Sequence, residues 1–529
     1  MSIGILTGTK PPVILLVLYT WTMTYMDKLQ GKRILIFQQR GWGINIGHFL
    51  AKKLKESGCT LAAFTLKKST HEFTLGQTEI TYDLIINNDT IMADPTGYLG
   101  SDTISLTEVC AGLGVDSIWP IVGSLRNFVR SYEDKFYYGF KQNVSDDRIV
   151  EYVLAIYKCI KYIFTTFGPE LIMAPNFVSL SHIMFHLYAK QRGVNMVTIT
   201  DSKITGNYIF SLGYNDDTGP FYDRVDNLNQ GIETSSNGER AKRYIREFRE
   251  HFKNPDYINP PSARKPMIKR IRHLLSPFYH SLLWYLKKPV NSIQGLGAIP
   301  DYRSPRIIFR DYYAKKRYNT FTEHFAYFPL EKINKFVYFP LQFQPEASID
   351  VLAPYFNNQI ETARLVALSL PDDYTLVVKE HPAMVGLRPP SYIQKVARTV
   401  NVKLIDYRIP SKMILERAAL VVSPNSTTML EAAFFWKPAI QLGNLGTTLR
   451  LPNVFKHTDM TTLPKKIKEV LQTNLKIEVY ERRLENYVAA AYDTGFNLKY
   501  VHMWEQGGTP EELEQLWAAY QNLFQRILS

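Results

Sequence analysis

The sequence predicts an α/β fold with two Rossmann-like domains, each built on a parallel sheet with helices on its faces. Apolar, β-branched runs alternate with helical patterns between Lys335 and Asn444, which is typical of such a sheet. A similar alternation of strand and helix patterns runs from Lys32 to Thr200. The chain of 529 residues is also too long for one ordinary core, so two or more domains are expected.

The first half opens with the strand pattern Lys32–Gln39, followed by a glycine-bearing turn and a helix. Gly41, Gly43 and Gly47 nearly match a dinucleotide fingerprint, but the spacing differs and no acid follows at the usual place. Two interpretations stay open: a tight strand-to-helix turn, or a glycine loop that lets a substrate approach the backbone near His48. Further strand patterns lie at Leu61–Leu66, Tyr82–Asn87, Pro169–Pro175 and Val194–Thr200.

Asp201 directly follows the last of these strand patterns, at what is predicted to be a carboxyl end. Its carboxylate fits an Asx turn or a helix cap, which is common at such positions. It equally fits a catalytic carboxylate. His48, beside the glycines, is the second catalytic candidate.

In the second half, polar residues follow three of the four strand patterns. Gln344 and Glu346 follow the first, Lys379, Glu380 and His381 follow the second, and Asn425, Ser426, Thr427 and Thr428 follow the last. In open α/β sheets, ligands bind beyond the carboxyl ends of the strands. These residues therefore mark the predicted ligand site.

The chemistry of these residues suits an anionic ligand. His381, fixed by Pro382, can donate a hydrogen bond to a phosphate or carry a positive charge near it. A helix predicted to start near Ser426 or Thr427 offers free N–H groups and hydroxyls, and Glu431, one turn in, can accept hydrogen bonds from ribose. The structural alternative is that His381 only packs, that Asn425 or Ser426 is only an N-cap, and that Glu431 only complements the helix dipole.

The segments VYFPLQFQPE, VVKEHP and VVSPNSTTMLEAAFFWKPAIQLGN closely resemble the capsule polysaccharide biosynthesis family, which includes Kdo transferases. The resemblance is strong over Lys335–Asn444 and loose over Pro169–Phe210. It implies a GT-B-like fold, with two Rossmann-like domains facing a central cleft and a nucleotide-activated sugar, often a CMP-sugar, in the C-terminal domain. It further implies donor-binding roles for a set of residues: Gln344, Glu346, Lys379, His381, Pro382, Asn425, Ser426, Thr427 and Glu431.

The resemblance implies a metal-independent glycosyltransferase without a cofactor, acting on a nucleotide-activated, CMP-Kdo-like donor and a capsule or other surface glycan or glycolipid acceptor. Asp201 or His48 would supply the base or nucleophile. Where many relatives have a glycine-containing turn, this chain has Pro424-Asn425-Ser426, so its phosphate contacts are expected to differ there. Two alternatives stay open: a CDP-polyol phosphotransferase of the teichoic-acid type, and a non-catalytic, sugar-nucleotide-binding scaffold in a membrane-associated assembly.

Composition and targeting signals favour a cytoplasmic protein. The three cysteines are scattered and form neither a disulfide framework nor a metal spacing. Pro11–Met26 is short for a membrane span and lacks a small-residue cleavage site, so residues 1–30 are interpreted as an N-terminal extension, with an uncleaved anchor as the alternative. Residues 31–300 are predicted to form an N-terminal acceptor domain, and residues 301–500 a C-terminal nucleotide-sugar domain. A C-terminal helix, 501–529, contains the capping box of Thr509 and Glu512.

The net charge of +13 is concentrated in one stretch. Ser262–Asn291 contains no acid and seven basic residues: Arg264, Lys265, Lys269, Arg270, Arg272, Lys287 and Lys288. This concentration favours one interface over a nucleic-acid groove. The stretch predicts basic amphipathic helices within 262–290, broken at Ser276-Pro277. Their apolar stripe suits the inner face of an anionic cytoplasmic membrane, or alternatively the protein's own core.

Overall fold

A computed structural model describes residues 28–131, 142–252, 267–287 and 303–528. The strands are β1 Arg33–Gln39, β2 Thr60–Leu66, β3 Leu84–Asn87, β4 Leu171–Met173, β5 Asn195–Asp201, β6 Asn207–Ser211, β7 Phe336–Pro340, β8 Thr375–Lys379, β9 Val402–Ile405, β10 Leu420–Ser423, β11 Ala439–Gln441, β12 Val454–Lys456 and β13 Phe496–Asn497.

Helices fill most of the chain between the strands. In order they are α1 Arg40–Trp42, α2 His48–Glu56, α3 Lys68–Gly76, α4 Asn88–Ala93, α5 Pro95–Leu99, α6 Leu106–Leu113, α7 Trp119–Val122, α8 Arg126–Val129, α9 Asp146–Thr166, α10 Leu180–Lys190, α11 Pro220–Gln230, α12 Gly238–Glu250, α13 Met267–Lys287, α14 Pro305–Glu323, α15 Ala347–Asp350, α16 Gln359–Leu368, α17 Pro390–Ala397, α18 Ser411–Arg417, α19 Thr428–Phe434, α20 Gly446–Leu449, α21 Leu463–Leu471, α22 Glu478–Thr494, α23 Tyr500–Gln506 and α24 Pro510–Ile527. A π-helical segment, Gly43–Gly47, joins α1 to α2, and short 3-10 helices lie at Leu330–Lys332, Pro354–Phe356 and Pro382–Met384.

The chain forms two compact units. The first takes its described residues from Met1–Asn87, Tyr162–Met173 and Lys499–Ser529, and the second from Asn88–Lys161 and Ala174–Leu498. The predicted boundary between residues 300 and 301 stays a prediction. Most of the predicted N-terminal extension, residues 1–27, lies outside the described residues.

The first unit contains the parallel strands β4, β1, β2 and β3, paired in that order. They correspond to the strand patterns predicted at Lys32–Gln39, Leu61–Leu66, Tyr82–Asn87 and Pro169–Pro175. The interior of β1, from Ile34 to Phe37, is fully buried, as a strand with two covered faces requires. Helix α24 begins with the predicted capping box, in which Thr509 accepts the N–H of Glu512 and Glu512 accepts that of Thr509.

The glycines after β1 serve close packing. A Cβ on Gly47 would lie 2.2 Å from Gln38 Oε1 and 2.7 Å from the Trp42 ring, and one on Gly43 would lie 2.7 Å from Thr70 Cγ2. Only glycine lets the π-helical segment lie this near β1 and the Trp42 ring. These contacts match the tight strand-to-helix turn, one of the two interpretations of this segment.

The second unit is built on a six-stranded parallel sheet in the order β12-β11-β10-β7-β8-β9. Successive side chains enter opposite cores: Phe336 and Tyr338 belong to one, and Val337 and Phe339 to the other. This alternation follows from the two-residue period of a strand. Strands β5, β6 and β13 add an antiparallel ladder. The two parallel sheets confirm the predicted α/β class with two Rossmann-like sheets.

Helix α13 differs from its prediction. It is one continuous helix from Met267 to Lys287 with Pro277 inside it, instead of two helices meeting at Ser276-Pro277. Arg264, Lys265 and Lys288 lie outside the described residues. No helix in the described part of the chain is long and apolar enough to cross a membrane.

The apolar stripe of α13 faces outward over the side chains that the structure describes, 271–286. Eight apolar residues of the helix are 50–71% exposed: Ile271, Leu274, Leu275, Phe278, Tyr279, Leu282, Tyr285 and Leu286. Leu283, a member of the predicted stripe, is half-buried. Because Leu283 is half-buried and Phe278 contacts Phe309 of α14, both predicted alternatives, a membrane surface and the protein's own core, stay predictions.

Candidate functional site

A pocket of about 640 Å³ lies at the carboxyl edge of the six-stranded sheet. The segments that follow β7, β8, β9 and β10 all contribute to its wall, together with Asp201 and Lys203 after β5. Parallel strands bring their carboxyl ends to one edge, which is where open α/β sheets bind ligands. The volume is in the range of small-molecule and cofactor sites.

The pocket brings together most of the residues that the sequence singled out. The predicted residues in its wall are Asp201, Glu346, Lys379, His381, Pro382, Asn425, Ser426, Thr427 and Glu431. They come from segments as far apart in sequence as β5 and α19. Their functional roles stay predictions.

Gln344 and His48 do not line this pocket. Gln344 is buried, donates Nε2 to the Asn357 carbonyl at 2.9 Å and accepts from Gln359 Nε2 at 2.6 Å. Its amide therefore braces the loop after β7. His48 belongs to the first unit, where its Nε2 lies 2.7 Å from Glu79 Oε2. That hydrogen bond, with a second from Lys52, holds the pKa of Glu79 below its usual range.

Asp201 forms the predicted Asx turn, and its predicted catalytic role stays a prediction. Its Oδ1 accepts the Lys203 N–H at 2.7 Å, which is an Asx turn, and Oδ2 lies 3.4 Å from Lys203 Nζ. The same side chain is 49% exposed and stands in the pocket wall. A partly solvated carboxylate in this position is available to a ligand while the turn fixes its direction.

The buried position of His381 favours its neutral form, and both predicted roles at a phosphate, as a hydrogen-bond donor or as a cation, stay predictions. Burial, together with the charges of Arg388 and Lys379, lowers the pKa of His381 to about 4. Its Nδ1 accepts the Ala383 N–H at 3.2 Å. Because Nδ1 is then an acceptor, the ring proton resides on Nε2. His381 therefore enters the site as a hydrogen-bond donor.

A buried ion pair holds the backbone beneath His381, and the sequence analysis missed it. Arg388 Nη1 lies 2.9 and 3.1 Å from the two Glu380 oxygens, and Arg388 Nη2 donates to the Gln342 carbonyl at 2.6 Å. Glu380 also accepts the His381 N–H at 2.7 Å. The side chains of Arg388 and Glu380 are only 5% and 1% exposed. Arg388 thereby joins the segment after β7 to the segment after β8.

Lys379 and Glu431 form the polar floor of the pocket. Lys379 Nζ donates to the Ile409 carbonyl at 2.9 Å and to Ser411 Oγ at 3.2 Å. Burial lowers the pKa of Lys379 to about 8, opposed by the charge of Glu431. Burial likewise raises the pKa of Glu431 to about 7, opposed by the charge of Lys379.

One oxygen of Glu431, Oε2, is buried in the pocket wall without a hydrogen-bond partner. A buried polar atom with no partner is uncommon in proteins and calls for an explanation. A ligand that brings hydroxyl or amino donors to this oxygen would satisfy it. This atom is the strongest sign that the pocket is built for a polar ligand.

The residues after β10 are largely occupied with local structure. Asn425 Nδ2 donates to the Ser348 carbonyl at 2.6 Å, and its Oδ1 accepts the Leu445 N–H at 3.1 Å. Ser426 Oγ accepts the Thr428 N–H at 3.1 Å. Helix α19 is seven residues long, and the predicted role of its N-terminus in binding an anion stays a prediction. Asn425 braces the pocket wall, and Ser426 and Thr427 present hydroxyls to it.

The sequence analysis also overlooked the segment after β9. Tyr407, Arg408, Ile409, Pro410 and Ser411 all line the pocket. The signal was present, because the strand pattern NVKLID ends at the same sheet edge as the others. In the described part of the chain, no three His, Cys, Asp or Glu side chains are grouped as a metal site would require.

Comparison with known proteins gives weak structural similarity. No protein-family model matches the chain, and no curated protein matches it. Among solved structures, the Thermosulfurimonas dismutans KpsC β-Kdo 2,7-transferase is 14% identical, with a TM-score of 0.31 over 63% of this chain and 79% of its own. The KpsC β-Kdo 2,4-transferase of the same organism is 13% identical, with a TM-score of 0.32 over 61% and 79%.

A second group of similar structures consists of sugar-nucleotide epimerases. The Neisseria meningitidis UDP-GlcNAc 2-epimerase bound to UDP-GlcNAc is 11% identical, with a TM-score of 0.24 over 87% of this chain and 97% of its own. At these identities and TM-scores, neither similarity assigns an activity. Any inference about the activity therefore has to rest on the residues of the pocket.

The Arg388–Glu380 pair generates the first prediction. Arg388→Met leaves the buried Glu380 carboxylate uncompensated and is expected to lower the local stability of β7 and β8 by about 3–5 kcal/mol. Native-state hydrogen exchange of the β7 and β8 amides measures this loss. Arg364→Met, which breaks an exposed pair with Glu361, is the control and should change stability by less than about 1 kcal/mol.

A double variant, Glu380→Gln with Arg388→Met, should recover part of that loss because the buried charge is gone while the acceptor for the His381 N–H stays. Equal exchange rates in Arg388→Met and Arg364→Met would contradict the role given to the pair.

Proposed function

We propose that the pocket binds a nucleotide-activated sugar and that the chain is a metal-independent glycosyltransferase. The observation that carries this proposal is the partnerless buried oxygen of Glu431 in a pocket that also holds Lys379 and His381. A nucleotide-sugar carries groups that complement these three side chains. Its ribose hydroxyls are donors for Glu431, and its phosphate oxygens are acceptors for the His381 Nε2–H and for cationic Lys379.

Transfer of the sugar breaks its anomeric C–O bond to the phosphate and forms a bond from the anomeric carbon to an acceptor oxygen. Negative charge develops on the departing phosphate. A donor on His381 and the charge of Lys379, held in place by buried hydrogen bonds, would stabilise that charge more than mobile water can. Asp201 is the candidate base or nucleophile in the pocket wall, and His48 remains the second candidate.

The resemblance of Lys335–Asn444 to the capsule polysaccharide biosynthesis family favours a CMP-Kdo-like donor and a surface-glycan acceptor. The names of the similar KpsC structures and epimerases are in keeping with a sugar-nucleotide ligand. We place the protein in the cytoplasm, where nucleotide-activated sugars are available.

Product analysis tests the reaction. With a nucleotide-sugar and a glycan acceptor, a glycosyltransferase yields a glycosidic product that contains no phosphorus from the donor. A polyol phosphotransferase instead cleaves a P–O bond and leaves phosphorus in the product, and a scaffold releases no nucleotide.

Asp201→Asn is expected to lose transfer while keeping nucleotide affinity, and Asp459→Asn, outside the pocket, to keep both. Unchanged transfer by Asp201→Asn would move the catalytic role to another residue.

Nucleotide affinity tests the role of His381. Isothermal titration with CMP and UDP, in the presence of a chelator, should detect binding of a pyrimidine nucleotide. His381→Ala should weaken this binding by about 1.5–3 kcal/mol, the usual value of a hydrogen bond to a charged group. His324→Ala, at the exposed end of α14, is the control.

Binding that appears only with magnesium or manganese would contradict the metal-independent proposal. An affinity unchanged by His381→Ala would leave His381 with a structural role.

The shifted pKa values of Glu431 and Lys379 predict a bell-shaped pH dependence of nucleotide affinity. Affinity should rise as pH increases through about 7, because Glu431 becomes a charged acceptor, and fall above about 8, because Lys379 loses its proton. Glu431→Gln should weaken binding and abolish the acidic limb without a large loss of melting temperature. Glu416→Gln, which changes an exposed residue of α18, should retain both limbs. An acidic limb that persisted in Glu431→Gln would contradict the assignment.

A further inference from the structure

Helix α13 exposes most of its large apolar residues to solvent and turns two smaller residues, Pro277 and Ser281, toward the protein. Apolar residues recur at helical spacing from Ile271 to Leu286, and most of them are at least half exposed, whereas Leu283 and Trp284 are half-buried. On the opposite side, Pro277 and Ser281 are buried. Ordinary surface helices of soluble proteins have the reverse arrangement. Contiguous exposed apolar surface of this kind marks an interaction site.

The charge of α13 identifies the chemistry of the partner. The helix contains Lys269, Arg270, Arg272 and Lys287 and no acidic residue. Tyr279 and Tyr285 lie on the exposed apolar side, 58% and 68% exposed. Aliphatic residues, amphipathic aromatic rings and flanking cations are together what a helix in the interface of an anionic bilayer requires.

The neighbouring helix α14 extends the basic part of this surface. The His273 ring contacts Tyr312 at 5.6 Å between centroids, and Phe278 contacts Phe309 at 5.1 Å. The contacting residue with the higher number on α13 is paired with the one with the lower number on α14, so the two helices are antiparallel. This register brings Lys315 and Lys316, both exposed, level with the basic start of α13.

We propose that the α13–α14 hairpin docks the protein on a membrane surface that contains anionic phospholipids. The apolar side of α13 would enter the boundary between headgroups and acyl chains, and Arg272, Lys315 and Lys316 would contact lipid phosphates. A protein partner would need a matching acidic and apolar surface, whereas an anionic bilayer offers both over any area. The proposal is independent of the nucleotide pocket.

Vesicle flotation of the full chain, without nucleotide, tests this. The wild type should float with vesicles of phosphatidylcholine and phosphatidylglycerol at low salt and not with phosphatidylcholine alone. Replacement of Arg272, Lys315 and Lys316 by Gln should lower the partition coefficient on the order of 100-fold, from about 1 kcal/mol for each basic residue. These three side chains are exposed, so the fold should be unaffected.

The apolar contribution is tested separately. Leu274→Ser with Leu282→Ser should reduce flotation by roughly tenfold or more, because the inserted apolar area is lost. The matched control is Ile232→Ser with Val400→Ser, which alters two equally exposed apolar residues elsewhere in the second unit and should float like the wild type.

Two results would overturn the proposal. One is a wild type that does not float, or that floats equally with and without anionic lipid. The other is a wild type that sediments as an oligomer in the absence of lipid, becomes a monomer in the Leu274→Ser and Leu282→Ser variant, and does not float. That second result would make α13 an interface between copies of this chain.

Discussion

The candidate site depends on one buried ion pair. Arg388 and Glu380 are almost completely shielded from water, and between them they bond to the backbone of two residues that line the pocket, Gln342 and His381. A buried pair adds little net stability, because desolvation offsets the attraction between its charges. Its contribution here is geometric. It fixes the segments after two adjacent strands, β7 and β8, relative to each other, and it places the His381 ring.

Around that pair, the pocket contains titratable groups that are shielded from water. Lys379 and Glu431 are both shifted toward neutrality by burial, one with its pKa near 8 and the other near 7. Such opposed shifts at one site are typical of functional groups. A ligand that brings a phosphate and hydroxyls would restore favourable partners to both residues. The same burial that disfavours the charged forms of Lys379 and Glu431 would therefore strengthen their interactions with such a ligand.

Much of this arrangement was predictable from sequence, because parallel strands obey a simple rule. Each buried apolar run became a strand, and the polar residues after it reached a common edge. The rule located His381, Glu346 and Ser426, and would have located Tyr407 and Arg408 had it been applied to β9. It failed for Gln344, whose side chain turned inward to Gln359. It could not reveal Arg388, since the partner of a buried acid eight residues away depends on the path of the intervening loop.

Pro277 shows a different limit of the sequence. A serine-proline pair is a good helix start, so a break was expected, yet α13 continues through it. Proline in a helix interior removes one backbone hydrogen bond and is unfavourable by about 3 kcal/mol. In α13 the proline lies on the buried side, where packing against the protein offsets part of that loss. A local preference was thus overridden by a tertiary contact that the sequence pattern does not contain.

The pocket and α13 depart from ordinary burial in opposite ways. A soluble protein gains stability by hiding apolar side chains and leaving charged ones in water. In the pocket, Glu431 is buried with a partnerless oxygen, while on α13 Leu274 and Leu286 are 60% and 71% exposed. Each departure is unfavourable for the isolated chain and is reversed by a specific environment. A polar ligand would satisfy the first, and the proposed anionic membrane surface would cover the second. Because the two environments differ in kind, the chain is expected to meet a water-soluble substrate and a membrane surface through separate parts of its second unit.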